Sequence, residues 1–418
     1  MSSHREKSTK LPFVVVLLAL GTFLMVTSEF IIAGILPEMA SDLGVSVSQA
    51  GLLITAFAVG QIVGAPAISV ATRRLPKRST LILALAVFAV GHVIAAVSSS
   101  FTLVLAARVV TALATGTFVA VASVVATSAA GRASASRAMG VMMSGMSLAI
   151  VAGVPLGSFV GQSIGWRGTF WVLAALAVVA SLIIGRFIPA EDHREEAPSA
   201  SSQFAVLRHG RMWLVLAATA LVTGGFMAAY SYISPLLTER TGLSEGVVPL
   251  VLVGFGIGAL LGTNITGRLG DRKPLATFIT TSVASALVLL LLIPLSTSAV
   301  PTIVLVFLLG LTGLGITSIA TPLAVRFGHS GPALAAALTV SAFNAGIALV
   351  SWLAGTTLDT SLGVTGPEVV GAVMAGLGLI PLIVLAAIRA TRTDTPQMSL
   401  PGADEETSHE AQAHHVAA

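Results

Sequence analysis

Two charged side chains, Glu29 and Arg108, stand inside long apolar stretches of the chain. Charges in such surroundings are costly, and they usually face a cavity or each other. A carboxyl group there can take up and release a proton, because burial disfavours its charged form while a nearby guanidinium favours it. Glu29 is therefore expected to exchange a proton, with Arg108 tuning its affinity; the alternative is a static ion pair that only stabilises the fold. Other chemistry is excluded. There is no cysteine, hence no disulfide, thiol nucleophile or Cys-ligated metal. No His/Asp/Glu cluster has metal-ligand spacing, no serine stands in a nucleophile elbow, and no phosphate-binding loop is present. The expectation is a protein that is not an enzyme, with no catalytic residue, metal or cofactor. Softer candidates in the apolar stretches are Phe226 with Tyr230 and Tyr232, the two tyrosines of the chain. Asn344 beside Phe343 is another, with interhelical hydrogen bonding as its other role. His92 reads as a packed residue rather than a proton relay. Trp166, Trp171 and Trp213 lie near stretch ends, as interfacial anchors do.

The elements that must position these residues are helices. The chain is 55% hydrophobic and 10% charged, with a mean hydropathy of +0.95, a composition that reads as a polytopic membrane protein. Twelve apolar stretches, each roughly 20 residues or more, are long enough to cross a bilayer. They fall at 12–36, 48–70, 79–98, 102–126, 138–163, 168–188, 212–237, 246–267, 275–296, 299–325, 333–358 and 367–389. Of the 22 Lys and Arg residues, all but Arg108, Arg167 and Arg240 fall in alternate gaps that also contain both termini. Basic residues mark the cytoplasmic side, so both termini are expected in the cytoplasm of a multi-pass protein of the inner or plasma membrane. The pI of about 10.0 follows from that topology and gives no reason to expect nucleic acid. Glu29 and Arg108 both come out roughly 10–12 Å below the surface opposite the termini.

A polar segment at 189–211 separates six stretches from six. The expected division is a first half over 1–188, a cytoplasmic linker over 189–211, a second half over 212–390 and a disordered cytoplasmic tail over 391–418. The halves repeat. A shift of 198 residues lays Pro37 on Pro235, Gly44 on Gly242, Ser46 on Ser244, Phe57 on Phe255, Gly60 on Gly258, Gly64 on Gly262 and Arg74 on Arg272. Most of these matches are Gly or Pro, which carry backbone and close-packing constraints. Two parallel six-helix halves about a pseudo-twofold axis resemble the plan of the major facilitator superfamily. That resemblance implies an all-α fold of 12 transmembrane helices with substrate between the halves and access that alternates.

The motifs sharpen the resemblance. Gly267-Arg-Leu-Gly-Asp271-Arg272 is similar to the superfamily's loop motif, and Arg73, Arg74 and Arg78 occupy the equivalent loop of the first half with Arg73 where an Asp is expected. The resemblance implies a cytoplasmic gate at these residues, with Asp271 and Arg272 the better latch. Gly145, Gly153-Val-Pro155-Leu-Gly157 and Gly161 resemble the antiporter motif of drug exporters, with Val154 inserted before the proline. Pro removes a backbone hydrogen bond and Gly removes bulk, so this run permits a bend and close helix approach. Gly21 to Phe30 and Gly34 to Ser46, with the Gly-Trp-Arg at 165–167, resemble the drug–proton antiporter branch that includes chloramphenicol-resistance and sugar-efflux transporters. The resemblance implies a proton-coupled exporter, with Phe226, Tyr230, Tyr232 and Asn344 as substrate-cavity candidates. An apolar, aromatic cavity with one acid and one base suits a small lipophilic compound, a chloramphenicol-type antibiotic first. The alternative is export of a sugar, nucleoside or other polar metabolite, and a third reading is a membrane sensor that transports nothing. The partners expected are a small-molecule substrate, protons and the lipid bilayer around a monomer.

Overall fold

Backbone N–H and C=O groups in hydrocarbon must find partners within the chain, and a helix provides them. In the computed structural model, which describes residues 11–71, 75–131, 134–188, 208–328 and 332–393, the described residues are helical with short turns and no strand. Among the described residues, twelve helices are long and apolar enough to cross a membrane. Spans 1–6 are Phe13–Phe30, Val47–Ala71, Lys77–Val97, Phe101–Ala130, Ala135–Ile164 and Trp166–Phe187. Spans 7–12 are Gly210–Ser231, Val248–Arg272, Pro274–Leu295, Ala299–Phe327, Pro332–Leu358 and Gly366–Thr393. The expected boundaries agree closely, except that spans 1 and 7 end early. Most of the expected linker, and Arg73, Arg74 and the tail, lie outside the described residues.

The early ends have a local cause. A proline clashes with the carbonyl four residues before it and donates no hydrogen bond. Span 1 breaks at Ile31 and resumes as Ile32–Asp42, with Ile35 non-helical (φ −130°, ψ 16°) two residues before Pro37. Span 7 breaks at Tyr232 (φ −115°, ψ 25°), three residues before Pro235, and a π-turn follows at Leu236–Arg240. Span 5 widens into a π-turn at Ala149–Gly153 just before Pro155. π-Turns of this kind accommodate an extra residue without ending the helix.

The repeat survives in three dimensions, and in one register. Gly60 faces the backbone of Val109 across spans 2 and 4, and Gly258 faces that of Phe307 across spans 8 and 10. Gly64 meets Leu113, and Gly262 meets Leu311. All four correspondences carry the same 198-residue shift. So do the glycines with left-handed backbone, Gly44 (φ 65°) with Gly242 (φ 73°), and Gly165 (φ 82°) with Gly363 (φ 52°). Only Gly adopts these conformations at no steric cost.

The halves meet along spans 2 and 11 and along spans 5 and 8. On the side away from the termini this seam is shut. Tyr230 Oη donates to the Phe30 carbonyl at 3.3 Å, Gln162 Nε2 to the Glu245 carbonyl at 2.8 Å, and Thr55 Oγ1 to the Ala348 carbonyl at 3.4 Å. Gly256 lies against the Ile150–Val151 backbone, and Gly34 against Leu252. The outer flanks carry exposed Leu, Ile and Val, Leu182 and Val300 among them, as a lipid-facing surface requires.

Candidate functional site

Arg108 is 1% exposed, and everything around it is arranged to hold a guanidinium in an apolar place. Span 4 brings it to the broken end of span 1, where last-turn carbonyls lose their helical partners. Its Nη1 donates to the Ser28 carbonyl at 3.1 Å and to Ser28 Oγ at 3.2 Å. Nε reaches the Leu53 carbonyl of span 2 at 3.5 Å. The guanidinium lies over the Phe57 ring, 4.2 Å from its centroid, a placement worth more where water is excluded. Nη2 has no partner.

Ser28 carries the network onward. Its Oγ lies 2.8 Å from His92 Nε2, and His92 Nδ1 lies 2.8 Å from the Phe88 carbonyl. A carbonyl only accepts, so Nδ1 carries the hydrogen of a neutral ring, Nε2 accepts, and the Ser28 hydroxyl donates to it. His92 is fully buried between the Phe88 and Phe170 rings, with centroids 4.0 and 5.4 Å away. It is packed, as expected, but it also anchors the serine that holds Arg108.

Glu29 follows Ser28 and retains partial exposure. The Gln61 side chain of span 2 and the Arg108 charge both act on its carboxylate. No ion pair within 4 Å joins Glu29 to Arg108. The static pair is thus not made. The arrangement is a half-buried carboxyl with one neutral polar side chain and one cation nearby, which suits reversible proton binding. The equivalent positions of the second half are Met227 for Glu29, Val306 for Arg108 and Ala259 for Gln61, so this set of residues has no counterpart in the second half.

The second half contributes aromatic rings. Phe226, Tyr230 and Tyr232 are buried, and Asn344 is 2% exposed. Phe226 packs on Gly313. Tyr230 stands edge-on to Phe30 at 5.8 Å and tilted over Phe255 at 4.5 Å between centroids. Tyr232 Oη donates to the Ser351 carbonyl at 3.1 Å, and its ring fills the space beside Gly51 and Gly355. Tyr230 and Tyr232 thus sit in the closed seam between the halves, one turn beyond Glu29, rather than along an open wall. The Asn344 amide donates to Val340 within its own helix, at 3.0 Å, and its Oδ1 has no partner.

The glycines of span 5 form a seam against span 1. Gly145 faces the Ala19 carbonyl, Gly153 faces Thr27 and Phe23, Gly157 faces Ile31, and Gly161 faces Ile35. This brings the π-turn of span 5 against the segment that carries Ser28 and Glu29. On the terminus side, the Arg78 guanidinium donates to the Gly185 carbonyl and ties span 3 to span 6. Gly267 approaches Ser318 of span 10, and Asp271 and Arg272 are exposed.

Residues 18–329 match the Major Facilitator Superfamily. The chain belongs to this superfamily. Its relatives include a chloramphenicol resistance protein of Streptomyces lividans, 35% identical over 376 residues that cover 88% of this chain and 95% of the relative. The inner membrane transport protein YdhP of Escherichia coli K12 is 31% identical over 392 residues, 92% of this chain and 98% of the relative. The fold also matches the crystal structure of a bacterial homologue of the human lysosomal transporter Spinster, with a TM-score of 0.69 at 16% identity, over 93% of this chain and 98% of that one. The major facilitator protein is therefore a multi-pass membrane transporter.

Sequence reasoning singled out Glu29, Arg108 and the span 5 glycines, named Phe57 only as a repeat match, and passed over Ser28 and Gln61. One signal was available for Gln61, the one amide of span 2 beyond its first turn. A further acid was passed over. Glu368, in the first turn of span 12, is fully buried.

Proposed function

We propose that this major facilitator protein is a proton-coupled efflux antiporter for a small lipophilic compound, with a chloramphenicol-type antibiotic as the leading candidate. The observation that carries the reading is the partly exposed Glu29, near Gln61 and Arg108 and with no ion pair to the latter. A carboxyl in that position can bind a proton from one side and give it up when substrate or solvent arrives from the other. The apolar and aromatic surroundings favour a neutral amphiphile, and the 35% identity to a chloramphenicol resistance protein supports that class. The basic residues put the termini in the cytoplasm. The seam shut on the opposite side is then the outer gate, and the substrate enters from the cytoplasm.

Chloramphenicol accumulation in cells expressing the wild type or Glu29→Gln, with and without a protonophore, tests this. Wild type is expected to keep accumulation low until the protonophore is added, and Glu29→Gln to accumulate as empty-vector cells do. Export that survives in Glu29→Gln removes Glu29 from coupling. Equal accumulation in wild-type and empty-vector cells removes chloramphenicol, and a sugar, nucleoside and dye panel then decides the substrate class.

A further inference from the structure

On the side away from the termini, each half brings three positions to a corner, two of them related by the 198-residue repeat. In the first half the positions are Asp42 after span 1, Ser98 after span 3 and Arg167 in span 6. All three are joined. Arg167 pairs with Asp42 and donates to the Ser98 carbonyl at 3.0 Å, and Trp166 Nε1 donates to Asp42 at 2.9 Å. In the second half Asp42 becomes Arg240 and Ser98 becomes Ser296. Arg240 Nε donates to Ser296 Oγ at 2.7 Å and Nη2 to the Ile293 carbonyl at 3.1 Å. The third position, near the start of span 12, has an acid. Glu368 lies one turn beyond the equivalent of Arg167, so the signs of the pair are exchanged.

This second corner is not closed. Glu368 is 0% exposed, and neither carboxyl oxygen has a hydrogen-bond partner. Its own backbone N–H acts on it but falls short of hydrogen-bond geometry. Arg240 acts on it electrostatically from beyond ion-pair distance. Among the elements packed on span 12, spans 7, 9 and 11 bring no charge to this end. Asp359 follows span 11 and is exposed, as is Glu239 beside Arg240. A carboxyl so enclosed can be satisfied in two ways, by a proton of its own or by a cation. Arg240 is the cation within reach, and it is occupied by Ser296.

We propose that Glu368 is a second proton-exchange site, at which a proton and the Arg240 guanidinium alternate as partner of one buried carboxyl. With Arg240 on Ser296, Glu368 holds the proton. When the π-turn at Leu236–Arg240 moves as the outer seam opens, Arg240 leaves Ser296 for Glu368, and the proton passes to water. The role of this exchange in transport rests on the antiport reading above; the exchange itself does not.

Infrared pH-difference spectroscopy of the purified full-length protein in lipid, with no substrate, tests it. Glu368→Gln is expected to abolish a carboxylic-acid C=O band distinct from the band lost in Glu29→Gln. Arg240→Gln keeps the acid and removes its alternative partner, so that band is expected to persist and to lose its response to pH. A Glu368→Gln spectrum identical to wild type overturns the proposal, as does an Arg240→Gln band that titrates as in wild type. If Glu368→Gln does not fold, Arg240→Gln decides alone. Failure of chloramphenicol export produces neither result, so the two readings fail separately.

Discussion

Ser28 joins two buried polar groups that would otherwise be costly. It accepts from Arg108 and donates to His92, whose other nitrogen is spent on Phe88. Replacing His92 by Leu leaves the Ser28 hydroxyl with no acceptor in an apolar site, a loss of roughly 1–3 kcal/mol. A lower unfolding temperature in detergent is the expected outcome, with proton-driven export retained, because His92 supports Arg108 and carries no proton itself. Loss of coupling at unchanged stability would make His92 a relay after all. Glu29 and Arg108 were conspicuous in the sequence because a charge in an apolar run has few structural explanations. Ser28 and Gln61 were not, since uncharged polar residues are common in spans. Which of them matters depends on the face that meets span 4, and that is a property of packing.

At the scale of elements, the span 5 glycines differ in what surrounds them. A Cβ on Gly145 would run into the Ala19 carbonyl of span 1, which is backbone and cannot step aside, whereas a Cβ on Gly140 meets nothing within 4 Å. Gly145→Ala is therefore expected to push spans 1 and 5 apart and to abolish transport, with a fall in folded yield by size exclusion. Gly140→Ala replaces an exposed helical Gly at a site with room, and is expected to be neutral or to stabilise by about 1 kcal/mol. Equal behaviour of the two variants would remove the packing argument. The twelve spans and the repeat were legible because length, hydrophobicity and Gly/Pro register are local signals. The breaks at Ile31 and Tyr232 were not, because Pro37 and Pro235 mark only a neighbourhood in which the helix yields. Nor was the corner made by Asp42, Ser98 and Arg167, whose members read as loop residues until the fold brings spans 1, 3 and 6 together.

For the whole molecule, the closed seam places two acids against each other. Glu38, in Ile32–Asp42 of the first half, is pushed above its ordinary 4.5, first by burial and further by Glu245 of the second half, against which its own backbone N–H acts. Its Oε2 has no partner. Glu245 is held in the seam through its carbonyl by Gln162. Opening the seam returns Glu38 to water and separates it from Glu245. The closed state therefore binds the proton more tightly than the open state, and linkage fixes the sign. Acid favours closure in the window between 4.5 and the raised value, and this preference fades as pH rises through the raised value. The absence of cysteines allows spin labels at Ser163→Cys and Gly246→Cys, both exposed and on opposite sides of the seam. Pulsed dipolar spectroscopy is expected to show the short-distance population growing as pH falls through the raised value towards 4.5. In Glu38→Gln that population should become insensitive to pH, because the variant carries no charge in either state. A pH response unchanged in Glu38→Gln would move the sensor elsewhere, and Glu368, on the same face, would be the next position to replace.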